Sequence, residues 1–403
     1  MNATELAHAA ELTKLARTLG VEEERLAFLA EVSPDSLKTV RMSVSDRLFD
    51  ADGDKLKRIA AAAKLVPAPI AAKAAAVAFG PLLTAAIASS IEVSRGIAVA
   101  GNLRVGFLAR VAAELDPRRC GPILSALPAS LAGKVAAQLV ADGEHITLGR
   151  FVGAISDDAL RTAAREINDS DLLRVAFLLE DRANIDYVVD VVSDRLPGIL
   201  AAAGDEGLWS HALGLLDAIG DEHRRTMGDL AAQLDTEVLA DLIGAAHSTG
   251  AWATLLPVTR LMSVESLRVF ASNPAVQAPD TVAAVMDAAL ADDMWLDLLP
   301  LAGELPTEPR TFLAGRIVGL DTELLDDLIG QADAAGQWGS LAPVVAVMSP
   351  EQVGVVLDLP IARDAAVVSR AVEALSGRDD VPADIVGLVA AHGRAVGAGH
   401  AAV

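Results

Sequence analysis

Four tryptophans stand in this chain of 403 residues, at positions 209, 252, 295 and 338, each 43 residues from the next. Rare residues at one fixed interval are the mark of an internal repeat, and a period of this size belongs to helical arrays. The frame around the rings repeats too. Asp235–Pro274 aligns without gaps on Asp321–Pro360, 86 residues further on, with nineteen of forty positions identical. "DTEVLADLIGAAHSTGAW" and "DTELLDDLIGQADAAGQW" carry most of the match, so alternate repeats are the most alike.

Each repeat reads as three short helices. From Asp321, apolar residues fall at 324, 325, 328 and 329, the stripe of an amphipathic helix. Asp321 suits its N-cap and Gly336 its terminator. "WGSLAPVVAVM" is apolar on most sides and reads as a buried helix. In "SPEQVGVVLDL", Ser349 caps, Pro350 takes the first helical position and Gln352 completes a capping box. No stretch alternates with a period of two, so the expected fold is all-α without sheet: a superhelical array of HEAT- or armadillo-like repeats. A large ring at one place in every repeat then fills the seam that a neighbour covers. The alternative is a row of rings, Trp209, Trp252, Trp295 and Trp338, lining a groove for a partner or ligand.

Upstream, the pattern loosens. Leu127–Asp158 fits the template with His145 in the tryptophan position, and an extra helical stretch is expected around Asp169–Val192. Three regions follow: a divergent helical region, 1–119; an acidic array, 120–390, regular from about 194 to 360; and a small, Gly-rich tail, 391–403, expected to fray.

Charge separates the first two. The chain carries −22 overall. Residues 64–119 hold seven Lys/Arg against three Asp/Glu, whereas residues 120–403 hold seventeen against forty-one. So acidic a body excludes binding along a phosphate backbone, and no nucleic-acid partner is expected. Within the basic region, Leu65–Ile91 carries Lys73 as its one charge. It is long enough to cross a bilayer, but Pro67, Pro69 and the Gly80-Pro81 pair interrupt it. The reading is two buried core helices, with a lipid-facing hairpin as the alternative.

"FLARVAAELDPRRCGPILSALPASLAGKVAAQL", Phe107 to Leu139, resembles the helical N-terminal domain of MgtE-type magnesium transporters and the helical repeats of FliG-like flagellar-motor proteins. Leu115-Asp116-Pro117, Leu124, Leu127-Pro128 and Leu139 carry the likeness. The resemblance implies a helical superhelix that binds partners and does no chemistry. In the transporters, that domain takes part in divalent-cation sensing. This chain shows neither a nucleotide-sensing domain nor a multi-span transport domain, so transport is not implied.

Catalytic patterns are absent. No Gly-x-Ser-x-Gly elbow, phosphate loop or His-Glu-x-x-His pair occurs. The seven histidines are scattered. "GDEHRR", Gly220–Arg225, and the acidic pairs Asp205-Glu206, Asp292-Asp293 and Asp326-Asp327 read as helix starts and solvated faces rather than metal sites. Cys120, the sole cysteine, follows Arg118-Arg119, which could lower its pKa, but no partner histidine is defined.

The expectation is therefore a non-enzymatic protein without cofactor or metal, cytoplasmic, with no secretory leader pattern at its N-terminus. It would act as a scaffold for a protein partner through a concave acidic surface. The second expectation is a carrier or sensor of an apolar ligand at a membrane surface, peripheral to the inner membrane. Residues 64–119 would make the contact, with Lys73, Phe79, Arg95, Arg104, Phe107 and Arg110 as candidates. A third is a divalent-cation-responsive module, implied by the resemblance alone.

Overall fold

A computed structural model describes residues 3–50, 58–62 and 65–400. Among them every regular element is a helix and no strand occurs. The chain divides into two compact units, Met1–His223 and Arg224–Val403. The charge step near residue 119 is not a structural boundary, because the helices Val93–Ala100 and Pro117–Ser125 pack together. Nor does the Gly-rich tail begin at 391: the last helix runs from Ala383 to His400, and residues 401–403 lie outside the described ones. The extra stretch upstream of Trp209 is helical, with helices at Asp169–Phe177 and Ile185–Val191 joined by a short 3-10 turn.

The 43-residue repeat has a backbone signature. Helices begin at Trp209, Trp252, Trp295 and Trp338. Two residues before each ring the chain turns left-handed, at Gly207 (φ 64), Gly250 (φ 66), Asp293 (φ 54) and Gly336 (φ 67). The next N–H reaches back five residues to a helical carbonyl: Leu208 to Ala203 (2.7 Å), Ala251 to Ala246 (2.9 Å), Met294 to Ala289 (2.8 Å) and Gln337 to Ala332 (2.8 Å). This is the long hydrogen bond of a Schellman cap, which satisfies a carbonyl that the ending helix would otherwise leave bare. The accepting residue is alanine in all four, each fully buried. A larger side chain there would hold the next helix away. The same turn occurs at Gly143 (φ 74), where Glu144 N–H donates to the Leu139 carbonyl (2.8 Å), two residues before His145.

In the C-terminal unit each ring helix packs on the next, Trp252–Leu261 on Trp295–Glu304 and that on Trp338–Val345. Trp252 and Trp295 are buried, as is Trp209 in the N-terminal unit. Trp338 is partly buried, and its Nε1–H donates to Asp333 (2.7 Å). Trp209, Trp252 and Trp295 fill the interior, whereas Trp338 borders a small apolar pocket with Val353 and Leu375. The capping box closes as the spacing predicts: Gln352 N–H donates to Ser349 Oγ (3.2 Å) and Ser349 N–H to Gln352 Oε1 (2.8 Å).

The recurring turn gives an opposed pair of expectations. Nothing lies within 4 Å of where a Cβ would sit on Gly250. Gly250→Ala should therefore lose stability through backbone strain alone, by roughly 1–2 kcal/mol. Asp293→Gly relieves the same strain and should gain roughly 0.5–1 kcal/mol. Urea unfolding measures both, and equal midpoints for the two variants would contradict this reading of the turn.

Candidate apolar ligand site

The N-terminal unit is not filled. A continuous cavity of about 350 Å³ runs through it, lined by forty residues between Ile59 and Val192. Closely packed interiors hold few voids larger than a water molecule. The walls come from successive short helices, with Ile59, Phe79, Ile87, Leu124, Phe151 and Val192 among the lining residues. Twelve of the forty are alanine, a composition that follows from the sequence's preference for small helix formers and leaves the space between helices unfilled.

The cavity has almost no hydrogen-bonding capacity. Among the lining residues only Thr84 carries a polar side-chain atom, and its Oγ1 already donates to the Gly80 carbonyl (2.7 Å). A site of this kind does not hold ordered water.

The cavity opens to solvent. Ala62 and Phe79 are the exposed members of the lining. They lie beside the segment read from sequence as two buried helices, and here the structure corrects the expectation. The segment is helical over Ala68–Ala88, and Gly80 (φ 73, ψ 174) redirects it as the Gly-Pro pair predicts. Yet only 22% of it is buried. Leu65 is 88% exposed, Val77 81% and Leu82 68%. By length and composition it is also the one described helix apolar enough to cross a membrane.

The other candidates from sequence separate. Lys73, Arg104 and Arg110 are exposed near this opening, and Phe79 is both exposed and part of the lining. Arg95 is partly buried, and its guanidinium donates to the Val66 carbonyl, tying the start of the apolar segment to the Val93–Ala100 helix. Phe107 is buried, with the Arg110 guanidinium 5.7 Å from its ring centroid, so it is a packing residue and not a surface contact.

The wall helix Asp169–Phe177 is braced by a buried charge network that the sequence did not signal. Phe177 packs on Ala10 of the first helix, Ala3–Leu19. Lys14 on that helix donates to Glu11 (2.7 Å) and to the Leu179 carbonyl (2.9 Å). Arg41 bridges Glu11 (3.0 Å) and Glu180 (2.7 Å). Such side chains tolerate burial because each charge is matched. Burial works to raise the Glu11 pKa, but Lys14 and Arg41 outweigh it and hold the carboxyl below its ordinary value.

Groups suited to chemistry are engaged elsewhere. Arg118 and Arg119 turn to Asp116 and Asp46 rather than to the thiol. Burial, with Asp116 adding to it, pushes the Cys120 pKa up to about 11. The expected lowering by arginine therefore does not prevail. Glu206 accepts from Arg174, Asp326 from the Ile361 N–H and Asp327 from Gln331. Among the described residues no cluster of His, Cys, Asp and Glu has the arrangement of a metal site. His223 lies between two carboxylates, Nδ1 2.8 Å from Asp186 and Nε2 3.0 Å from Asp190. Both nitrogens donate only in the imidazolium. Burial pulls its pKa down, but the bonds to Asp190 and Asp186 prevail and raise it.

No protein-family model matches the chain, and neither a curated protein nor a solved structure does.

Two expectations follow. Cys120 should resist maleimide below about pH 8.5, the range of an ordinary thiol, and react once urea unfolds the chain; fast labelling of the folded protein would contradict the burial. Because the His223 pKa is raised, its contribution to stability is fully present below about 6.5, the unfolded value, and disappears as pH rises through the folded value. The urea midpoint should fall over that window, and His223→Gln should flatten the fall. An equal slope in the variant would assign the pH dependence to other groups.

Proposed function

We propose that this chain is a non-catalytic helical-repeat protein whose N-terminal unit carries one apolar molecule with a hydrocarbon body, such as an acyl chain. The observation that carries the reading is the apolar cavity of about 350 Å³, open to solvent beside Ala62 and Phe79. Its size falls within the range of about 300–1,000 Å³ common to small-molecule sites. An unfunctionalised chain suits it because no group in the wall remains free to meet a polar substituent. Any polar end of the ligand stays at the mouth, beside Ala62 and Phe79.

The finer description of the fold belongs here too. The recurring turn, and the stacking of ring helices in the C-terminal unit, support a solenoid of HEAT-like repeats. In the region that resembles the MgtE-type helical domain, Asp116 caps the Pro117–Ser125 helix by accepting the Arg118 N–H (3.0 Å). This accounts for the Leu-Asp-Pro pattern as a helix start and adds nothing about cation sensing. The scaffold reading keeps its charge argument, the acidic composition of residues 120–403. The burial of Trp209, Trp252 and Trp295 suits the scaffold reading as well; ligand carriage stands first because the apolar cavity is the more specific observation.

The test fills the cavity. Ala112 and Ala136 are buried lining residues on neighbouring helices. Wild-type protein should bind a fluorescent fatty-acyl probe at one per chain. Ala112→Leu with Ala136→Leu should weaken binding by about tenfold or more, since the added groups occupy the volume the ligand needs. Failure of the wild type to bind, or equal binding by the filled variant, would refute the carrier reading.

A further inference from the structure

Among the described residues, fourteen large apolar side chains are exposed, and five of them lie on one short stretch of the chain. Leu65, Ile70, Val77, Phe79 and Leu82 fall within eighteen residues, each between 39% and 88% exposed. Elsewhere in the described chain such residues are exposed singly or in sparse pairs, which is ordinary for a protein surface. A contiguous apolar patch is not ordinary and marks a contact surface. Ile70, Lys73 and Val77 follow the three- and four-residue spacing of one helix face, and Pro69 and Ala76 beside them are also exposed. Phe79 belongs both to this patch and to the cavity lining, so the patch is the rim of the mouth.

We infer that this rim docks on an anionic lipid bilayer, which places the mouth of the cavity against the membrane. The inference rests on the reading of the cavity as a ligand site and names the surface with which that site exchanges. Charge selects this occupant. Residues 64–119 carry an excess of four positive charges in a chain of net −22. Lys73 lies on the patch itself, and Arg104 and Arg110 stand exposed on the Val105–Ala113 helix and its N-cap, which packs against the Gly80–Ala88 helix. An anionic surface attracts these exposed cations at the mouth. Lys73 can reach the headgroups while its stem lies along the apolar face.

The geometry favours lying in the interface over crossing it. Gly80 divides Ala68–Ala88 into pieces of twelve and nine residues. At 1.5 Å per residue these span about 18 and 14 Å, short of the roughly 30 Å hydrocarbon core.

The experiment is flotation of the full-length protein with vesicles of phosphatidylcholine containing phosphatidylglycerol, against vesicles of phosphatidylcholine alone. Wild-type protein should float with the anionic vesicles and lose most of that association without phosphatidylglycerol or in high salt. Val77→Asp with Leu82→Asp should weaken flotation by about tenfold or more. Both side chains are exposed, so circular dichroism and melting temperature should not change. Lys73→Glu with Arg104→Glu should weaken it in the same direction. The rim variant should still bind the acyl probe in solution, and the cavity-filled variant should still float. That crossing separates the two readings: loss of probe binding alone defeats the carrier, and loss of rim dependence alone defeats docking. Docking is overturned if the rim variant floats like wild type, if wild type does not float, or if association survives alkaline carbonate, which would mean insertion across the bilayer. It is also overturned if vesicle-free protein is a dimer that the rim substitutions disperse, since a second copy would then cover the patch.

Discussion

The left-handed turn ahead of each ring helix is the constraint on which the rest of the fold depends. A short helix buries one face, and it does so only if the chain leaves it at an angle that brings the next helix back over that face. The long hydrogen bond to a fully buried alanine fixes this angle at Gly207, Gly250, Asp293 and Gly336. Four copies of one turn give four copies of one local exit from a helix into a ring helix, and the 43-residue period in the sequence reappears as a repeated backbone feature. Glycine holds three of the positions because its backbone reaches positive φ without a steric cost. Aspartate holds the fourth, among the few other residues that tolerate it.

What the turn does not determine is how well the space behind it is filled. In the C-terminal unit Trp252 and Trp295 are buried there, and the void beside Trp338, lined by residues such as Val353 and Leu375, is about 60 Å³. In the N-terminal unit the same turn at Gly143 leads to His145, whose imidazole is hydrogen-bonded to Asp171 (2.7 Å). The cavity of that unit is lined by alanine and valine more often than by aromatic residues. One scaffold thus gives a packed interior where bulky rings occupy the seam and an open one where they do not. The buried network of Glu11, Lys14, Arg41 and Glu180 ties the first helices to the end of the Asp169–Phe177 wall helix. The Ala68–Ala88 segment leaves bulky residues such as Val77 and Leu82 uncovered, and the exposed lining residue Phe79 lies on the same segment.

The sequence shows the repeating part of this plainly and the site only in outline. Helix starts at the tryptophans, the Gly336 terminator, the Ser349–Gln352 box and the break at Gly80 are local events set by residues a few positions apart, so spacing reveals them. His145 was identifiable as the tryptophan equivalent because its frame is conserved within the chain. The cavity was not legible. Periodicity tells which side chains face inward, but whether they meet depends on the distance between helices far apart in the chain. Leu65–Ile91 misled for the same reason, since an apolar run looks alike whether or not another element covers it. Phe107 and Arg95 were read as surface contacts because the sequence carries no record of the neighbours that claim them. Glu11, Lys14 and Arg41 pass for surface charges until the fold brings residues 179 and 180 beside them.

The central claim is that the N-terminal cavity is occupied by an apolar molecule in the working protein. The direct measurement is native mass spectrometry of the full-length chain purified without detergent, with mass analysis of its organic extract. The account predicts a species heavier than the bare chain by one small apolar molecule, recovered in the extract with a hydrocarbon body and in stoichiometric amount. A bare chain with a clean extract, from protein that also fails to take up an added acyl chain, would contradict it.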